Sequence, residues 1–417
     1  MNPRPNILYL VHRVPYPPNR GDRIRSFHFL EFLAQRAEVS LAFPSETTPP
    51  RETMQTLEGL CRRVTAARLG PQTRWLRAAW SLGTGRTATE GLFRSGELRR
   101  TIRQWHEETP FDAIVVFCSS MAQYLDQPEL ADVPTVVDLV DVDSQKWFDY
   151  AQHSRGLKRR LLQLEGKRLR RLEVSLPDRA RAVTLVSPHE ADLFRSFCPT
   201  DRVYAICNGV DLSYFQPGAS PDRPSSDSCV FVGALDYNAN LDGVTWLCRK
   251  IWPAVRRRRP EAVFRLVGSN PGPAAQRLGK LPGVELVGQV PDVRPYLNEA
   301  VLAVAPLRVA RGIQNKVLEA MAMARPVVAT PQALEGIGAT PEIHVCQAAT
   351  PDEWVDSISD LLANPARCAD LGRAGRAFVE ERFQWKTQLA SLAALPGLRK
   401  CLQRAAPEPS EPIVVKA

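Results

Sequence analysis

Unbroken apolar runs of strand length alternate along this chain with stretches whose apolar positions recur at helical spacing. The first run, NILYLV at 6–11, leads through the turn-rich HRVPYPPNRGD to Ile24, Phe27, Leu30 and Leu33, which share a helical face, and then to VSLAFP at 39–44. Strands buried on both faces of a parallel sheet read as continuous Val/Ile/Leu runs, so this order predicts a parallel α/β sheet. The alternation continues through FDAIVVFCSS, PTVVDLV and AVTLVS, predicting one doubly wound, Rossmann-like domain over 1–205. At 206–228 the chain turns to Gly, Pro, Ser and Asp, the composition of an interdomain linker. It then restarts with CVFVGAL, the helical LDGVTWLCRKIWPAVRRR, and the strands AVFRLVG, VELVG, LAVAPL and PVVAT, predicting a second Rossmann-like domain over 229–380. A helical segment over 381–404 is expected to pack back on the first domain, and 405–417, with APEPSEP, reads as a disordered tail.

Composition supports this division. The 417 residues exceed what one core usually organises, and 44% apolar with 24% charged residues are ordinary globular values. The longest apolar runs fall far short of the ~20 residues of a membrane span. The N-terminal segment shows no small-residue cleavage site, so the expected location is the cytoplasm. Nine cysteines without a C-x-x-C pair read as buried thiols rather than a zinc site. The net charge of +9 is concentrated at 154–181, where ten basic residues meet three acidic ones. Leu157, Leu161, Leu162, Leu164, Leu169, Leu172 and Val174 recur there at near-helical spacing. Such a helix either lies on an anionic membrane surface, making the protein peripheral on the inner face of the plasma membrane, or docks its leucines on its own domain. No aromatic interleaving or nucleic-acid module accompanies the charge, so nucleic acid is not an expected partner.

Candidate chemistry concentrates in LAVAPLRVARGIQNKVLEAMA, a loop between a strand and a helix. In open parallel sheets ligands bind at such carboxyl-end loops. Gly312 allows close backbone approach, and the helix start offers N–H donors and partial positive charge to a phosphate. Lys316 adds a full charge, with Arg308 and Arg311 nearby. Glu319, three residues on, shares the face of Lys316 and can accept two hydrogen bonds from a ribose diol. Phosphate with ribose indicates a nucleotide; the alternative is an exposed Lys316–Glu319 ion pair with Gly312 merely turning the chain.

The run GIQNKVLEAMAMARPVVAT, with NGVD at 208–211, FVGALDYNANLDGVTWL at 231–247 and VELVGQVPDVRPYL at 284–297, resembles the family 4 retaining glycosyltransferases of the GT-B fold. Through VHRVPYPPNRGDRIRSFHFL, VDLVDVDSQKW and APLRVARGIQNK the chain looks most like the sugar transferases of the PEP-CTERM/exosortase A (EpsH-type) exopolysaccharide systems. The resemblance implies two Rossmann-like domains facing across a cleft, with a nucleotide-sugar donor held by the second and a glycan or lipid-linked glycan acceptor by the first. It implies donor contacts from Gly233, Asp236, Asn238, Gly288, Val290, Arg308, Arg311, Gly312, Ile313, Gln314, Asn315, Lys316 and Glu319, and acceptor-side roles for Gly21, Arg25, Asp138, Asp141 and Asp143. Lys316, Glu319 and Asp141 are the expected catalytic residues. No cofactor is expected, and GT-B enzymes generally need no metal. Two departures stand out: the first of the family's two donor-helix glutamates falls on Arg311, and the loop GALDYNAN has no basic residue for the diphosphate. A non-catalytic sugar-nucleotide sensor or scaffold and a GT-B sugar-nucleotide epimerase are the alternatives. His189, after the strand AVTLVS, is the best-placed histidine, though a capped surface helix explains it equally well.

Overall fold

The computed structural model describes residues 4–18, 21–152, 154–218 and 227–403. The tail expected over 405–417 and residues 219–226 of the linker lie outside them. The chain divides into two compact units, one running to Ile206 and taking the chain back from Leu389, the other running from Cys207 to Gln388.

The first unit is built on β1 (Asn6–Val11), β2 (Glu38–Ser45), β3 (Arg63–Arg68), β4 (Ala113–Phe117), β5 (Thr135–Val140), β6 (Ala182–Leu185) and β7 (Val203–Ala205), in the order β3-β2-β1-β4-β5-β6-β7. Every pairing is parallel. The continuous apolar runs are the central strands, because helices cover both faces: Ile7–Val11 and Ala113–Phe117 are all buried. Strand β5 ends irregularly. Its register shifts between Asp138 and Val140, and Val140 sits at φ 69°, a strained place for a β-branched residue. That bulge carries Asp141 and Asp143 off the sheet into the start of the helix Asp143–Gln152.

The second unit uses β8 (Ser228–Val232), β9 (Val263–Val267), β10 (Val284–Gly288), β11 (Leu302–Ala305), β12 (Val327–Ala329) and β13 (Cys346–Gln347), ordered β10-β9-β8-β11-β12-β13 and again parallel throughout. The sequence-predicted helix over 241–258 is helical along its length, yet it widens to a π-turn at Leu247–Ile251, just before Pro253 removes a backbone donor. Its core joins Phe231, Val244, Leu247, Trp252, Phe264, Leu302, Val304 and Trp354 into one buried cluster. Among the described residues no helix is long and apolar enough to cross a membrane.

Candidate functional site

In the second sheet, chain order reverses between β8 and β11, so the loops leaving these neighbouring strands diverge and open a crevice at the strand ends. One loop enters the helix Asn238–Trp246; the other enters the helix Asn315–Ala322. The first loop is packed closely by the turn after β9: a Cβ on Gly268, which follows that strand, would lie 1.8 Å from the carbonyl oxygen of Gly233. Gly312 in the second loop has φ 63°, a conformation that costs an L side chain but not glycine. The N-cap residue Gln314 gives no side-chain bond to the first turn; its amide instead donates to the Arg311 carbonyl at 2.9 Å. The Val317 N–H bonds to the Gln314 carbonyl at 2.9 Å, so at the helix start it is the N–H groups of Asn315 and Lys316 that the cap side chain leaves for an anion or water.

Lys316 projects from that first turn. Its Nζ donates to Asn240 Oδ1 at 2.8 Å and stands 5.4 Å from the centre of the Phe231 ring. A Cβ on Gly233 would come within 3.0 Å of Asn240 Nδ2 and 3.2 Å of Lys316 Cε, so the glycine leaves the backbone close to the ammonium. Burial lowers the Lys316 pKa to about 8, against the pull of Glu319. Burial likewise raises the Glu319 pKa to about 7, opposed by Lys316. One helix face thus presents a cation and a carboxylate that both titrate near neutrality, and such displaced pairs are a mark of ligand sites.

The other expected donor residues differ in burial and in partners. Asn315 accepts from Asn208 Nδ2 at 3.0 Å, tying the NGVD segment to the helix start. Ile313 is buried. Arg308 is held by Asp242, its Nε donating at 2.9 Å, and Arg311 is half-buried. Asp236 is exposed and accepts from Asn270 at 3.0 Å; Asn238 is exposed at the first position of its helix. Gly288 ends the edge strand β10 with φ 82°, and half-buried Val290 follows it. Asn240 and Phe231 escaped the sequence reading. Both lie in the quoted FVGALDYNAN, but only packing shows that the second asparagine, not Asn238, turns inward.

The first unit repeats the topology, with its switch between β1 and β4. Two acceptor-side expectations are corrected there. Arg25 and Asp138 are fully buried: Arg25 Nε and Nη2 each donate to a different Asp138 oxygen at 2.8 Å, Nη1 donates to the Ile206 carbonyl at 2.8 Å, and Thr184 adds a 2.6 Å bond to Asp138. A bidentate pair so enclosed braces helix Gly21–Ala34 against β5 and offers nothing to a ligand. Asp138 lies within β5, inside the strand run PTVVDLV.

Asp141 and Asp143 are only half-buried, and Gly21 opens its helix with no atom within 4 Å of a notional Cβ. Asp143 accepts from Ser119 Oγ at 2.8 Å, while Asp141 Oδ1 has no hydrogen-bond partner among the described residues. Desolvation, with Glu190 and Asp143 adding repulsion, raises the Asp141 pKa to about 7. His12, directly after β1, was not singled out by the sequence. Its ring stacks on Phe117 at 5.8 Å, its Nδ1 lacks a partner among the described residues, and burial lowers its pKa to about 4, so it is neutral. His189 is exposed on helix Pro188–Phe197, whereas its neighbour Glu190 turns inward to accept from the Val142 N–H at 2.7 Å.

The basic segment is the helix Gly156–Arg179. Its cations are not all free: Arg168 Nη1 donates to the carbonyls of Leu82 and Arg86 at 2.6 and 2.7 Å, and Arg170 Nε donates to Ser144 Oγ at 2.7 Å. Leu169 is buried, whereas Leu157, Leu161, Leu164 and Val174 are exposed, so only part of the apolar stripe docks on the fold.

Residues 27–209 match the family described as "Glycosyl transferase 4-like domain", and residues 226–364 match "Glycosyl transferases group 1". A GDP-mannose-dependent alpha-(1-6)-phosphatidylinositol monomannoside mannosyltransferase of Mycolicibacterium smegmatis is 29% identical over 241 residues, which span 52% of this chain and 62% of that relative. Less than two thirds of its length is therefore matched. Sucrose-phosphate synthase from Thermosynechococcus elongatus matches with a TM-score of 0.71 at 17% identity, covering 97% of this chain and 100% of its own. Anabaena HepE, solved in complex with UDP-glucose, matches at 0.66 and 16%, covering 94% and 100%. These likenesses give the fold: GT-B, with two Rossmann-like parallel α/β units.

Proposed function

We propose that this GT-B chain, whose two units carry glycosyltransferase domain matches, is a retaining glycosyltransferase that draws on a nucleotide-sugar. The observation that carries the reading is the pair Lys316 and Glu319 at the β8/β11 switch point. In this reading the diphosphate lies over the start of helix Asn315–Ala322, where backbone N–H groups, the helix dipole and Lys316 stabilise charge as it develops on the leaving group. Asn240 holds the ammonium in place beforehand, so it need not reorganise during transfer. Glu319 takes the ribose diol as a carboxylate. Lys316, with Arg308 released from its exposed pair with Asp242, supplies the charge that the loop GALDYNAN lacks; exposed pairs of this kind are worth only ~0–1 kcal/mol, so the exchange is cheap. Retention follows the family resemblance: the acceptor hydroxyl attacks the face the phosphate leaves, and the phosphate oxygen takes its proton. Asp141 and neutral His12 of the first unit are the groups we assign to orienting the acceptor hydroxyl.

For the acceptor we propose a lipid-linked glycan in exopolysaccharide synthesis of the PEP-CTERM/exosortase type, on the strength of the runs at 11–30, 137–147 and 305–316 and the exposed leucines of helix Gly156–Arg179. The test is to incubate purified protein with UDP-, GDP- and ADP-sugars, with and without glycolipid extract, and follow nucleoside diphosphate release and the anomeric configuration of the product by NMR. Acceptor-dependent release with retained configuration supports the proposal. Donor binding without release under any condition identifies a sensor, and donor conversion without acceptor identifies an epimerase.

A further inference from the structure

The helix Arg74–Gly83 wears its apolar side outward. Ala78 and Ser81 face the fold, packed so tightly on the neighbouring helix Ala88–Leu92 that a Cβ on Gly91 would lie 2.5 Å from the Arg77 carbonyl oxygen. The opposite stripe, Trp75, Leu76, Ala79 and Trp80, meets solvent, with Trp75 73%, Leu76 71% and Trp80 55% exposed. Two tryptophans and a leucine kept out of a core that has room for alanine and serine mark a surface that something else covers.

Charge identifies that partner. Residues 61–89 contain six arginines and neither aspartate nor glutamate. Arg74 lies 5.4 Å from the centre of the Trp75 ring and also pairs with exposed Glu46 at 3.3 Å, while Arg94 lies 4.4 Å from the centre of the Trp80 ring. Beyond the helix end, Arg86, Arg168 and Arg171 line a groove of about 330 Å³, with Glu90 and Asp126 partly offsetting them. Leu157, Leu161 and Leu164 share with Arg168 one stripe of helix Gly156–Arg179, and Arg168 reaches back to the Leu82 carbonyl of the tryptophan-bearing helix. Two copies of such a surface would set arginines against arginines, whereas headgroup phosphates complement them. Tryptophan favours the boundary between acyl chain and headgroup.

We propose that helix Arg74–Gly83 is an interfacial anchor that sets Trp75, Leu76 and Trp80 into an anionic lipid surface, its flanking arginines on the headgroup phosphates. This deepens the lipid-linked acceptor reading above and is independent of the donor chemistry. The probe is a phosphatidylcholine vesicle with or without phosphatidylglycerol, scored by co-sedimentation and tryptophan emission at low salt. Wild type should bind the anionic vesicles, with blue-shifted emission, and not the neutral ones.

The variant Trp75→Ser with Trp80→Ser changes only exposed positions, so it should keep its melting temperature and nucleotide affinity yet bind vesicles roughly tenfold or more weakly. A second variant, Lys158→Gln, Arg159→Gln and Arg160→Gln, tests the long helix separately. If the tryptophan variant binds as wild type does, the anchor assignment is overturned, whether or not the long-helix variant fails. If wild type ignores anionic vesicles, or is a dimer by light scattering that the serine substitutions dissociate, the surface has a different partner and the proposal falls. Loss of nucleotide binding in wild type would instead strike the donor reading and leave the vesicle result standing.

Discussion

Affinity for a nucleotide-sugar should pass through a maximum near pH 7.5 and fall on both sides, because the two groups assigned to the donor titrate in opposite senses. Lys316 must be cationic to hold the diphosphate, and its pKa lies at about 8, so its contribution is present below that value and lost as pH rises through it. At pH 9 about a tenth of the free protein carries the cation, which weakens apparent affinity about tenfold; an ordinary lysine, pKa ~10.4, would lose almost nothing. Glu319 must be a carboxylate to accept the ribose hydroxyls, and its pKa lies at about 7, so its contribution appears above that value and disappears as pH falls through it, again about tenfold by pH 6. Isothermal calorimetry with one nucleotide-sugar across this range reads both limbs. Lys316→Arg, which stays charged throughout, should flatten the alkaline limb, and Glu319→Gln the acidic limb. Ratios of variant to wild type at each pH cancel the ligand's own ionisation. Limbs that survive in both variants would refute the assignment of these titrations to the donor site.

Arg25→Met should cost about 3–5 kcal/mol of stability, since it strands Asp138 without its cation in a fully buried place; adding Asp138→Leu should recover part of the loss in a denaturant titration. Gly243→Ala should lower the melting temperature and nucleotide affinity together, because its Cβ would lie 2.3 Å from the Pro306 carbonyl oxygen and push apart the two elements that flank the donor crevice. Asn240→Ala should weaken nucleotide-sugar binding about five- to tenfold, by freeing Lys316 and loosening the loop whose Ala234 carbonyl Asn240 also holds at 2.8 Å; unchanged affinity by calorimetry would remove Asn240 from the site.

The strands at the centre of both sheets were readable because burial on two faces leaves few polar positions to blur them, Asp138 in β5 and Arg265 in β9 among them. The edge strands β3, β7 and β13 were not, since RVTAAR carries polar residues and the other two are only three and two residues long. Lys316 and Glu319 could be placed from spacing on one helix face. Arg25 and Asp138 misled for a physical reason: charges near a strand end read as ligand groups, and only tertiary packing shows that they neutralise one another across 113 positions of sequence. His12 and Asn240 were silent because their roles come from rings and loops brought in by distant segments, Phe117 in one case and Lys316 in the other.

The most direct test of the donor site compares a nucleoside diphosphate with inorganic diphosphate, titrated into wild type, Lys316→Ala and Glu319→Gln. The site described here predicts that Lys316→Ala weakens both ligands by about 1.5–3 kcal/mol, whereas Glu319→Gln weakens only the nucleoside diphosphate. Equal losses for both ligands in Glu319→Gln, or none for either in Lys316→Ala, would contradict a nucleotide seated on helix Asn315–Ala322.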